Sequence, residues 1–341
     1  MHERRKGQED ELFVTAFIVP TGIQASVGGY LGDATPFANR IAALSNFTIT
    51  NPNVVNGGVL NLMAGNILYT EGTVMDMLFR GETALKPHGE KNRIGVVIEK
   101  TKDRGALALI HNTISAMRAV GGVEVVGAEQ TEGRIGARAY IKGGVAHGDI
   151  RDLSPLDETI KTLIKTGAQT IALSAEIRAD KKLWETYFRG GGPNPVGAIE
   201  AVISHYVVDK YRIPAAHAPL VRKRDWPMNL RDTRVFWRAG AEAISPAYLG
   251  CVLLGLSRAP YLCRPLEKGA IGVDDISALV MPYSSCGGIP VFECADRGIP
   301  IIAVKEIRTN LNVTPRSIGI DAITADTMDD AIRLLSRIKR R

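Results

Sequence analysis

Aromatic residues are scarce, at 6% of the 341-residue chain. No basic strand carries interleaved aromatics, so the surface that stacks nucleic-acid bases is missing and no nucleic-acid partner is expected. Cysteine is scarcer still. Cys251, Cys263, Cys286 and Cys294 are the four in the sequence, and none belongs to a CxxC pair, which argues against a zinc cluster. No apolar run reaches the length that spans a bilayer, and Met1–Glu11 is polar and charged instead of a basic stub ahead of an apolar stretch. A soluble protein of a reducing, cytoplasmic compartment is expected, with no membrane partner. Neither GxGxxG nor GxxxxGKS/T occurs, so nicotinamide and P-loop nucleotides lack their fingerprints and the cofactor is left unknown.

What is present is an ordinary globular balance, with 45% apolar and 23% charged residues and 35 glycines, values at which disorder is not expected. A chain of 341 residues exceeds the size at which one core usually stops growing. Two lobes are therefore expected: an N-terminal α/β lobe with glycine-rich loops over 1–150, and a C-terminal α/β lobe over 151–341 with an anion-binding helix and a Cys-Gly-Gly loop. The formal charge is +6, much of it in Arg4–Arg5–Lys6, Arg222–Lys223–Arg224 and Lys339–Arg340–Arg341. That balance suits a small anionic ligand. Homo-oligomerisation is left open.

Apolar runs alternate with helical periodicity, as in parallel α/β units. Leu12–Val19, Phe47–Thr50, Arg93–Ile98, Val123–Val126, Gln169–Ser174, Arg212–Ala216, Ile276–Met281 and Ile301–Val304 read as strands. Phe37–Leu44 behind the cap Thr35–Pro36, Arg104–Val120, the stretch from Ser154–Pro155 to Lys165, Pro290–Arg297 stopped by Gly298, and Thr327–Lys339 read as helices. Glycines suggest a hairpin or a mobile flap over Arg134–Asp149, and Arg222–Arg238 reads as an irregular excursion. The fold class that follows is α/β: two Rossmann-like lobes with mostly parallel sheets in three α/β/α layers.

Ligands of open parallel sheets bind beyond the carboxyl ends of the strands, and several such ends here carry unusual loops. Gly190, Gly191 and Gly192 form a glycine turn before Asn194, a capping residue, and Pro195, suited to a first helical position; with Gly197 they read as an anion site on a helix N-terminus. Thr21, Gly28, Gly29 and Asp33 lie in a second glycine loop, where Asp33 is either a cap or a substrate-binding carboxylate. Asn51, Asn53 and Asn56 either hold ligand groups or serve as turn formers. Cys286, within Ser284–Ser285–Cys286–Gly287–Gly288 between strand and helix, reads as a nucleophile beside oxyanion-binding amides, or as a small residue in a tight turn. His217 and His205 are candidate acid/base groups, His217 being preferred for its strand-end position. Glu200 and His205 are five residues apart, roughly 140° around a helix, so they do not form a same-face pair. Glu71 reads as a first-turn residue complementing a helix dipole, and Glu306–Asn310 as a further loop.

The order of Pro20–Thr21–Gly22, Gly28–Gly29, Gly32–Asp33–Ala34, Asn51–Pro52–Asn53–Val54, Glu71–Gly72, Gly190–Gly197, Glu200, Ile203–Ser204–His205, Ile213–Pro214, His217–Ala218–Pro219 and Cys286–Gly287–Gly288 resembles the DUF3326 family over nearly the whole chain. The chain departs from it at Gly190–Pro195, where a Gly-Val-Asp-Pro-like string is expected, and at Thr50–Asn51–Pro52–Asn53, where Thr-His-Pro-Asn is expected. The resemblance implies a shared fold and site and brings no reaction with it. The leading expectation is an enzyme acting on a small carboxylated or phosphorylated metabolite by hydrolysis or transfer at a C–N bond, with Cys286 as nucleophile and His217 as acid/base. A metal-assisted enzyme using Asp33, Glu200 and a histidine is one alternative, although no metal site is assigned. A non-catalytic metabolite-binding or regulatory protein is the other.

Overall fold

Leu12–Val19 is apolar because the strand it contains is covered on both faces. Every residue of β1 (Val14–Phe17) is buried. Val14 and Ala16 enter one core while Phe13 and Phe17 enter the other, the period of two that a pleated strand imposes. The computed structural model describes residues 12–28, 34–55, 63–87, 89–220 and 248–340. Gly29, Asp33, Asn56 and the stretch 222–238 lie outside the described residues.

From β1 the chain passes through α1 (Thr35–Ala42) to β2 (Phe47–Thr50), through the single turn α2 (Pro52–Val55) to β3 (Ile67–Tyr69), and through α3 (Gly72–Phe79) to β4 (Ala84–Lys86). The middle supplies β5 (Arg93–Ile98), α4 (Arg104–Gly121), β6 (Glu124–Gln130), β7 (Ala137–Lys142), β8 (Val145–Asp149) and α5 (Asp157–Lys165). It continues through β9 (Thr170–Ala175), β10 (Ile177–Arg178), α6 (Lys181–Phe188) and α7 (Gly197–Tyr211) to β11 (Ala215–Pro219). The last part adds α8 (Tyr248–Leu256), β12 (Tyr261–Cys263), β13 (Ile276–Pro282), α9 (Ile289–Arg297), β14 (Ile301–Val304), β15 (Ile323–Ala325) and α10 (Met328–Ile338).

The strands form a mixed α/β fold with mostly parallel sheets. A six-stranded sheet has the order β15-β14-β13-β1-β2-β3 and a four-stranded sheet the order β11-β9-β5-β6, and every pairing within these two is parallel. Helices pack on both faces. One core gathers α1, α4, α8 and α10, the other α3, α5, α7 and α9, and each core takes strand residues from both sheets. The six-stranded sheet draws on residues 14–69 and 276–325, and the four-stranded sheet on 93–219. A lobe boundary near residue 150 therefore falls inside the stretch that builds the second sheet, because the chain returns to its first sheet at the end.

Several local readings shift by a turn. Helix α1 starts at Thr35 itself, with no side-chain cap, and a 3-10 turn at Ser154–Leu156 precedes α5. Gly298 closes α9 in the left-handed region at φ 67°, where glycine costs least. The glycine-rich stretch after Arg134 is a hairpin, β7–β8, turning on Gly143 and Gly144 at φ 58° and 76°, as a two-residue hairpin turn requires. Its tip is tied down: Asn310 Nδ2 donates to the Gly144 carbonyl at 2.7 Å and Ala146 N–H to the Gly22 carbonyl at 2.8 Å.

Candidate functional site

The six-stranded sheet runs outward from β1 through β2 and β3 on one side and from β13 through β14 and β15 on the other, with α1 and α9 in opposite cores. Its order thus reverses between β1 and β13, the place where strand ends of an open sheet diverge and leave a crevice. A cavity of about 430 Å³ opens there, within the size range of metabolite pockets. Its walls come from the ends of β1 (Ile18, Pro20, Thr21), β2 (Asn51, Asn53), β3 (Glu71) and β13 (Met281, Gly287, Gly288), and from α7 and β11 of the second sheet. Along α7 the liners are Gly197, Ala198, Glu200, Ala201, Ser204 and His205, one helical face repeating at three and four residues.

Two carboxylate–imidazole pairs stand on these walls. His205 Nε2 lies 2.8 Å from Glu71 Oε1, with the Glu71 side chain 5% exposed and that of His205 37%. Glu71 is locally fixed because it caps α3, its Oε2 accepting the Thr73 N–H at 2.9 Å. Since Nε2 donates to this carboxylate, Nδ1 is the nitrogen left for a ligand, and among the described residues nothing pairs with it. Burial pulls the His205 imidazolium down, but the Glu71 hydrogen bond and charge, with Asp76 and Asp209 behind them, outweigh it and the net direction is up. Asp76, also on the wall, is raised by burial against the pull of Arg80 and His205.

The second pair differs. The sequence places His217 at a strand end, whereas β11 starts at Ala215, three residues beyond the expected Arg212, and His217 sits in the middle of the strand opposite Leu173. Its Nε2 accepts the Ala175 backbone N–H at 3.2 Å, and its Nδ1 faces Glu200 Oε1 at 3.4 Å. Both ring nitrogens are thus engaged, in the tautomer with hydrogen on Nδ1, and accepting a proton at Nε2 would break the bond to the strand. His217, its side chain 1% exposed, thus faces Glu200 from within the sheet. Glu200 and His205 take separate partners, as their angular offset on α7 requires, yet both face the same cavity.

Cys286 stands apart from the cavity. It is fully buried and lies outside the cavity wall, its thiol directed at the Pro282 carbonyl. Burial pushes that thiol up to about 12, whereas a nucleophile needs its thiolate favoured. The neighbouring Gly287 and Gly288 do line the cavity, and Ser284 is held off it by a 2.9 Å hydrogen bond to Thr309. Gly190, Gly191 and Gly192 are not on the wall either. The Gly190 and Gly191 amides donate to the carbonyls of Tyr187 and Thr186, ending α6, so they have no N–H left for an anion. Helix α7 begins two residues beyond Pro195, with Val196 as its cap residue, and Asn194 Oδ1 accepts the Val196 N–H at 3.0 Å.

Of the first-sheet loops, Gly28 lines a separate small crevice with Asn53 and Asn194. Asn51 spends its amide on Val19, accepting from its N–H at 3.1 Å and donating to its carbonyl at 2.9 Å, and Asn53 Nδ2 donates to the Val19 and Pro20 carbonyls. These amides brace the end of β1. Sequence reasoning passed over Asp76, Met75 and Met281 as site residues, and outside the family resemblance it read Glu71 as a helix-dipole residue and gave Ser204 no role. The signal for Glu71 was its place after the apolar run Ile67–Tyr69, a strand end of the kind that pointed to the other loops.

These features define a mixed α/β protein, its sheets mostly parallel, with a carboxylate- and imidazole-bearing cavity at the switch point of its six-stranded sheet. The chain belongs to the DUF3326 family, described as proteins of unknown function, the match covering residues 14–340. A protein of Synechococcus sp. described as an uncharacterized lipoprotein is 34% identical over 331 residues, covering 95% of this chain and 90% of the relative. No solved structure matches the chain.

Proposed function

We propose that the chain is an enzyme acting on a small anionic metabolite, with the His205–Glu71 pair as its proton-transfer group. The observation that carries this reading is the 2.8 Å hydrogen bond from Nε2 to Glu71, which orients the ring and leaves Nδ1 to take or give a proton at the cavity wall. A carboxylate behind an imidazole fixes the tautomer and stabilises the imidazolium as it forms. Glu200, which faces His217, is a second carboxylate on the cavity wall. Hydrolysis or transfer at a C–N bond fits this set, with His205 protonating the departing nitrogen and no covalent cysteine intermediate.

Among the described residues no group of three His, Cys, Asp or Glu side chains is placed to hold a metal ion, and no helix is long and apolar enough to cross a membrane. Four free cysteines support a reducing, cytoplasmic setting. The shared helical layers support reading the sheets as two Rossmann-like lobes with common cores. To test the reaction, a panel of anionic C–N metabolites is incubated with the chain in D2O and followed by proton NMR. At least one compound is consumed or exchanged, and His205→Gln slows this by about 100-fold or more, the usual worth of an acid/base group. A panel left unchanged, or a His205→Gln variant with wild-type turnover, contradicts the reading; binding without turnover then marks a metabolite-binding or regulatory protein.

A further inference from the structure

With Cys286 buried off the cavity, the attacking group in a C–N hydrolysis is water, and water needs a base. Three carboxylates line the cavity: Glu71, Asp76 and Glu200. Two of them are committed. Glu71 turns Oε1 to His205 at 2.8 Å and to the Ser204 hydroxyl at 3.4 Å, and its Oε2 accepts the Thr73 N–H at 2.9 Å. Glu200 faces His217 at 3.4 Å and has a further interaction besides. Asp76 is the one left: among the described residues no hydrogen bond or ion pair engages its side-chain oxygens. Arg80, the cation one turn further along α3, is turned to Glu82 at 3.7 Å.

Helix α3 explains why Asp76 stands beside the imidazole. Gly72 and Asp76 are four residues apart in α3 and share one of its faces, and a Cβ added to Gly72 would come within 3.2 Å of His205 Nε2. The absent side chain lets the His205 ring lie against the first turn of α3, with Asp76 one turn further along the same wall. The two charges act on one another. Burial, with Glu71 and Asp209, holds Asp76 above the ordinary carboxylate value against the pull of Arg80 and His205. His205, which burial pulls down, is raised in part by Asp76. A carboxylate without a partner and with a raised affinity for protons is a better base than an ion-paired one.

We propose that Asp76 is the general base of the site, taking a proton from water while His205 gives one to the departing nitrogen. This rests on the reading of the cavity as a seat of C–N hydrolysis and assigns the other half of its proton transfer. The water oxygen forms the new C–O bond as one of its protons passes to an Asp76 oxygen. The C–N bond breaks with its electron pair going to nitrogen, which takes the proton from His205 Nδ1. Asp76 then holds one proton more and His205 one fewer, and a single transfer between them through solvent restores the starting state.

The test uses carboxylated amides, namely glutamine, asparagine and the N-acetyl and N-carbamoyl amino acids, with hydrolysis followed by proton NMR. Asp76→Asn slows the hydrolysis that wild type performs by about 100-fold or more and abolishes the fall in rate on the acid side of the pH profile. At pH 7 the same variant melts higher than wild type, because a carboxylate raised on folding costs stability above its unfolded value. In Asp76→Ala, sodium formate speeds hydrolysis by about 10-fold or more by standing in for the missing base, and it leaves wild type unaffected. The proposal is overturned, with the enzymatic reading intact, if Asp76→Asn turns over like wild type while His205→Gln does not. It is overturned equally if Asp76→Asn melts lower at pH 7, the mark of a carboxylate with a structural partner, or if formate leaves Asp76→Ala unchanged. If wild type hydrolyses none of the compounds, the enzymatic reading and this proposal fall together.

Discussion

At the scale of the residue, His205 is placed where its charge is both costly and supported. Its position above the ordinary imidazole value, reached because Glu71, Asp76 and Asp209 outweigh burial, has a definite pH signature. A group raised on folding stabilises the native state below its unfolded value, near 6.5, and loses that contribution as pH rises through the folded value. The Tm difference between wild type and His205→Gln is therefore larger at pH 6 than at pH 9; a difference that grows with pH would contradict the pairing with Glu71. Cys286 yields the opposite expectation. With its thiol buried and pushed up to about 12, it is alkylated far more slowly than the half-buried Cys263 when native protein is treated with iodoacetamide and mapped by mass spectrometry. Cys286→Ala keeps turnover. Rapid native labelling of Cys286, or loss of activity in a folded Cys286→Ala protein, would restore it as a nucleophile. Both residues were visible in the sequence, Cys286 in a loop after a strand and His205 on a helix, but only as residue types. That His205 is paired depended on Glu71, more than a hundred residues away in the chain.

At the scale of the element, α7 determines the site, because one of its faces is the cavity wall while Ile199, Ile203, Val207 and Val208 anchor it in the core. Its far end is clamped to α5. Tyr206, Lys210 and Tyr211 all reach the Asp157 carboxylate, at distances between 2.6 and 3.0 Å. Burial raises Asp157, but the bonds from Lys210, Tyr211 and Tyr206 outweigh it and the net direction is down. A lowered carboxylate stabilises above its unfolded value and stops doing so as pH falls through the folded value. Asp157→Ala accordingly costs about 1–3 kcal/mol at pH 7, the worth of hydrogen bonds to a charged group, and the cost shrinks as pH falls below the ordinary carboxylate value of 3.8; denaturant melts at pH 7 and in acid measure it. A cost unchanged in acid would remove the carboxylate from the clamp. The helix itself was legible from Gly197 to His205, but the glycines ahead of it were not. Three successive glycines fit an anion loop and a helix stop equally well, and the choice was made by carbonyls of α6 that no local pattern displays.

At the scale of the whole molecule, the alternation of strand and helix was legible because buried parallel strands make dense apolar runs, as in Ile276–Met281 and Ile301–Val304. The pairing of the two chain ends was not, since β1 and β13 lie about 260 residues apart and pair through register that periodicity does not encode. That topology leads to a prediction. A fragment ending near residue 150 contains β1, β2 and β3 but lacks β13, β14 and β15, so it exposes an unpaired edge and both cores. Expressed alone, fragments 1–150 and 151–341 give no cooperative melt, whereas the full chain unfolds in one transition. A cooperative melt of isolated 1–150 would instead establish an autonomous N-terminal lobe.

The central claim is that His205, oriented by Glu71, moves the proton in the cavity at the β1–β13 switch point. The pH dependence of turnover for wild type and Glu71→Gln tests it most directly, with the substrate found by the metabolite panel. The account predicts a limb above pH 6.5 in wild type that moves to lower pH when the Glu71 charge is removed, together with a loss of rate. Superimposable profiles for the two proteins would contradict it.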